Sequence, residues 1–141
     1  MEENYIPKTE QEAWVGILFS CMASDMKLQD IETDVFTQTI TKKEIFKSVL
    51  ILPVYRDIMF AHSKAGSKGL IDICKSKISI DYTKTLFAIA CEIVFADGKE
   101  AYMEDDMLHY LADALQIIKA DKEKIIEVIR IKNKGNKLVE M

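Results

Sequence analysis

The feature that most restricts this chain is a repeat. At a constant offset of 72 residues, Asp25 aligns with Asp97, Lys27 with Lys99, Glu32 with Glu104 and Asp34 with Asp106. Apolar positions follow the same step: Trp14 with Leu86, Ile17 with Ile89, Ile31 with Met103, Val35 with Met107 and Phe36 with Leu108. The turn segments ASDMKLQDIETD and FADGKEAYMEDD align without a gap. A chain that matches itself in both acids and core positions is built from one supersecondary unit used twice. Here the unit reads as helix, acidic turn, helix, over about 9–40 and about 81–117. The expected fold is all-α: a compact bundle of seven or eight helices with the two units related by an internal pseudo-twofold.

Local signals agree. Thr9-x-x-Glu12 after Pro7 reads as a capping box, followed by Trp14, Ile17, Leu18 and Cys21 at helical spacing. That helix should stop near Ser24. A second begins around Gln29, with Ile31, Val35, Phe36 and Ile40 on one side. Thr41-x-x-Glu44 reads as another capping box, opening a helix through Leu50, with Pro53 ending it or lying in the first turn of the next. Val54 to Ala65 should be helical and stop at Gly66, with a short amphipathic helix from Leu70 to Ile78. Asp81 is expected to cap an apolar helix ending near Ala96, and another helix runs from about Ala101 to Ile117. Asp121 is expected to cap the last, which ends near Asn133 before Gly135.

Five glycines and two prolines in 141 residues are too few for the many turns of an all-β fold. The turn-rich stretch Ser63 to Gly69 divides the chain into halves too small to be comfortable alone, so residues 1–141 are expected to form one domain. A net charge of −4 argues against a general nucleic-acid binder. Cys21, Cys74 and Cys91 are odd in number, far apart and set in apolar runs. They read as buried hydrophobes in a reduced, cytoplasmic protein. No apolar run is long enough to cross a bilayer, Glu92 interrupting the best candidate, Leu86 to Ala96.

The acids of the repeat carry the chemical interest. Asp25 and Asp97 fall where a helix ends, and a carboxylate there opposes the negative end of the helix dipole. It needs a backbone amide, a lysine or a cation as partner. Glu32 and Glu104 fall early in the next helix, where acids are favoured. The seven-residue spacing lets each Asp and Glu face one inter-helix corner, and a pseudo-twofold would bring all four together. Two readings stand: turn and cap residues satisfied by backbone, or ligands for a hard cation such as calcium, magnesium or manganese. The loops are not EF-hands, because Gly98 directly follows Asp97.

At these residues the chain resembles the TerB family, small all-helical proteins of bacterial tellurite resistance and related stress systems. The carriers are Ala96-Asp97-Gly98-Lys99 with Glu104, the first copy Ala23-Ser24-Asp25-Met26-Lys27 with Glu32, and the preceding helices AWVGILFSCMAS and TLFAIACEIVFA. The resemblance spans roughly residues 9 to 118. It implies a pseudo-symmetric helical bundle, a divalent-metal role for Asp25, Glu32, Asp97 and Glu104, and no enzymatic reaction. It also implies protein partners in membrane-associated stress assemblies. Met26 departs from the pattern, standing where the second copy has Gly98. If that position takes positive φ, methionine costs about 1 kcal/mol.

Two other function classes compete: a helical protein-interaction module without metal, and a carboxylate di-metal enzyme. Asp106 and His109 lie three apart on one helix, but di-iron bundles use Glu-x-x-His twice. Lys119 to Lys137 carries seven bases and three acids, while Asp97 to Asp113 carries six acids and one lysine. That asymmetry is one a homo-oligomer or an acidic partner would use. No Gly-rich phosphate loop and no nucleophile elbow is present.

Overall fold

Thr9 opens the first helix as its spacing predicts. Its side chain accepts a hydrogen bond from the Glu12 amide at 3.1 Å, and α1 runs Glu10–Met22. In a computed structural model of the protein, the described residues are 5–23, 30–47, 51–95 and 102–134, the side chains of 30–35 and 102–105 excepted. Among them the fold is all-α, with five further helices: α2 Asp30–Lys42, α3 Ile51–Cys74, α4 Thr83–Val94, α5 Tyr102–Ala114 and α6 Lys119–Asn133. Short 3-10 turns occupy Glu44–Phe46, Lys75–Lys77 and Ile80–Tyr82, and no strand occurs among the described residues.

Six helices are described against the expected seven or eight, and one of them, α3, is two helical segments joined at Gly66, where φ and ψ are non-helical. One expected helix is absorbed elsewhere. Thr41 does not open a helix: it lies in the last turn of α2, its hydroxyl donating to the carbonyls of Thr37 and Gln38, and Glu44–Phe46 is a 3-10 turn. The stretch from Leu70 continues α3 beyond Gly66 to Cys74. Pro53 is the third residue of α3, in the first turn, where a missing N–H costs nothing. Asp81 and Asp121 are not N-caps either. Tyr82 and Ile118 hold those positions without a side-chain bond. Asp81 lies in the Ile80–Tyr82 turn, and Asp121 pairs with Lys84 at 3.0 Å.

α1 is buried on every side, from Glu12 through Met22. Such a helix belongs at the centre of a bundle. α1 and α4 pack on each other, and each also touches both α2 and α5. α3 covers α1, and α6 covers α4. The C-terminal bounds of α2 and α5, Lys42 and Ala114, stand 72 positions apart. Buried residues recur at that step, with Trp14 and Leu86, Ile17 and Ile89, and Phe36 and Leu108 all in one core.

Gly16 sets how closely α3 approaches α1. A Cβ there would lie 2.8 Å from Cys74 Sγ and 3.0 Å from Ile58 Cδ1, so the absent side chain is the space those two occupy. Aromatic edges complete the seam: Phe19 meets Tyr55 and His62 of α3 at 5.5 and 5.1 Å between ring centroids. All three cysteines are buried, and none forms a disulfide. Desolvation pushes the thiols of Cys21 and Cys74 up to about 12, so both act as small apolar groups at neutral pH.

Candidate functional site

The four acids of the repeat divide between elements. Asp25 and Asp97 lie outside the described residues, as do Met26 and Gly98 and the side chains of Glu32 and Glu104. Glu32 and Glu104 lie on α2 and α5. Among the described residues, no group of three or more His, Cys, Asp or Glu is placed to hold a metal ion.

Two described residues close to these acids in sequence meet in space. Ala23, two residues before Asp25, and Met107, three after Glu104, line one cavity of about 510 Å³. The remaining wall is the middle of α3: His62, Ser63, Ala65, Gly66, Ser67 and Lys68. The cavity exists because α3 is broken at Gly66, whose φ of 75° and ψ of 175° are open essentially to glycine alone. A side chain there would strike nothing within 4 Å, so backbone conformation, not space, demands glycine.

Two sets of contacts hold the break in shape. His62 Nε2 and Ser67 Oγ lie 2.8 Å apart across it, and Ser63 donates to the Phe60 carbonyl at 2.6 Å. Burial lowers the pKa of His62, so its imidazole is neutral at neutral pH. Beyond the break, α3 is fastened to α5. Lys68 reaches Asp106 at 3.7 Å and lies over the Tyr110 ring, while the Tyr110 hydroxyl lies 2.8 Å from both carboxylate oxygens of Asp72. The cavity thus offers hydroxyls, a neutral imidazole and one ammonium. That set can hydrogen-bond and orient a small polar group.

Two carboxylates outside the four site candidates do structural work. Glu12, buried, accepts from the Tyr5 hydroxyl and from the Lys8 amide at 3.3 Å. Burial and this carboxylate both raise the pKa of Tyr5. Glu10 accepts from Trp14 Nε1 and from the amide of Ser79, both at 3.3 Å, tying the start of α1 to the approach to α4. The i,i+4 spacing of Glu10 and Trp14 was the available signal for the first bond. The partner 69 positions away had none.

Glu92, which interrupts the apolar α4, faces α6. It pairs with Lys132 at 2.7 Å, and its carbonyl and that of Phe95 accept from the buried Asn133 side chain at 3.4 and 3.1 Å. No described helix is long and apolar enough to cross a membrane. Comparison with protein-family models, curated proteins and solved structures finds no match to this chain.

Proposed function

We propose that this chain is a TerB-like, non-enzymatic stress-response protein. In this reading it is a cytoplasmic protein that binds a divalent cation, calcium, magnesium or manganese, through Asp25, Glu32, Asp97 and Glu104. The two acidic turns belong to units related by a pseudo-twofold. The cation ties them together and biases the choice of protein partner, including a membrane-associated stress complex. The observation that carries the proposal is the packing of the flanking helices. α2 and α5 end 72 residues apart, α1 and α4 each touch both of them, and Ala23 and Met107 share a cavity wall. Hard oxygen ligands from short turns suit such cations.

The test is a thermal melt with calcium, magnesium or manganese against a chelator control. The expected result is a rise in Tm with the cation and loss of that rise in Asp97→Ala/Glu104→Ala. A variant that keeps the full rise overturns the site. The second reading is an interaction module whose turn acids only cap helices. It is favoured by the outer face of α3, where Leu52 is 81% and Phe60 64% exposed. Under it, cations change nothing and Asp97→Ala alone lowers stability by about 0.5–2 kcal/mol.

A further inference from the structure

A second surface stands apart from the turns. A groove of about 340 Å³ runs beside α6, lined by His109 of α5 and by Glu123, Ile126, Glu127, Arg130, Ile131 and Lys134. Its floor is apolar, with Ile126 buried, while Ile131 on α6 is 62% exposed and Val128 is 61% exposed. A core-covering helix ordinarily spends such residues inward.

The charges of this groove are ordered. Acids Glu123 and Glu127 come first, bases Arg130 and Lys134 last. Laid antiparallel on a copy of itself, α6 sets Glu123 opposite Lys134, Glu127 opposite Arg130 and Ile126 opposite Ile131. All three pairs share one midpoint, between Val128 and Ile129. Every α6 residue lining the groove therefore finds a complement in the same groove turned by a half-rotation. That is the condition for an isologous two-fold contact.

Lys119 approaches Glu123 at 3.9 Å in an exposed same-helix pair of little worth. Arg130 stacks over the Phe95 ring at 5.2 Å, which fixes its guanidinium at the groove. We propose that the occupant of this groove is α6 of a second copy, which seats its Ile131 over Ile126 and pairs its acids with bases across the axis. One helix pair of 15 residues is a small interface, so the dimer is a weak, concentration-dependent one. The proposal does not depend on the metal reading.

The test is run on the full chain with a chelator present, so failure of the metal reading leaves it untouched. Glu127 is the exposed groove residue nearest the midpoint of the pairing, and the three native cysteines are buried, so Glu127→Cys supplies one exposed thiol on the paired face. Mild oxidation should give a covalent dimer, whereas Leu52→Cys on the exposed face of α3 should stay monomeric. Sedimentation from about 1 μM to 1 mM should show self-association of the unmodified chain. E123K and K134E should each weaken it about tenfold, and the double variant should restore it. Wild-type circular dichroism and melting would show that each variant is folded. A monomer across the range, equal cross-linking at both positions, or a double variant no better than the singles overturns the proposal.

Discussion

The two central helices are covered by different chemistry. α3 lies on α1 through apolar contact: Ile58 and Cys74 close over Gly16, and Tyr55 and His62 meet the edge of Phe19. α6 lies on α4 through polar groups: Lys132 on Glu92, Asn133 on two carbonyls at the end of α4, Arg130 over Phe95. Equivalent tasks are thus done once by shape and once by charge and hydrogen bonding. The apolar seam tolerates salt but not a change in volume or ionisation. The polar clasp tolerates volume changes at its exposed members but responds to salt.

Alkaline titration should break the apolar seam first. The thiols of Cys21 and Cys74 ionise near 9 when unfolded but near 12 in the fold. Their contribution is complete below about pH 9 and is lost as pH rises toward 12. Thiolate absorbance should stay flat through pH 10 in the native protein and appear only with unfolding. Ile58→Ala should cost about 2–5 kcal/mol in urea unfolding. Gly16→Ala should cost about 1–3 kcal/mol, because the added methyl meets Cys74 at the back of the seam. On the other side, Asn133→Ala should cost about 1–3 kcal/mol, leaving buried carbonyls of α4 unsatisfied. Lys132→Ala should cost less than about 1 kcal/mol, an effect that shrinks at high salt. A Lys132 effect as large as that of Ile58 would erase the distinction between the two seams.

The helices were largely legible in the sequence because their apolar spacing is strong. The ends were less so, for a common reason. Thr9, Thr41, Asp81 and Asp121 all fit the local pattern of a cap, yet only Thr9 has its side chain beside a free amide of a helix start. The others were claimed elsewhere: Thr41 locally, by carbonyls in the last turn of α2, and Asp121 at long range by Lys84 on α4. The cavity was not legible at all. It depends on Gly66 bending α3 so that Lys68 reaches Asp106, and no local pattern reports a pairing between distant helices. Gly66 was read correctly as a helix stop, but α3 resumes at once, because Leu70, Ile71 and Cys74 still have a core to enter.

The burial of α1 has a consequence for synthesis. It is made before every helix that covers it, and its apolar surface is not fully covered until α4 emerges. At about 5–20 residues per second, the 72 residues from Met22 to Val94 take roughly 4–14 s to translate. During that interval the most hydrophobic part of the nascent chain is without its shelter, and α1 is where a ribosome-associated chaperone would bind first.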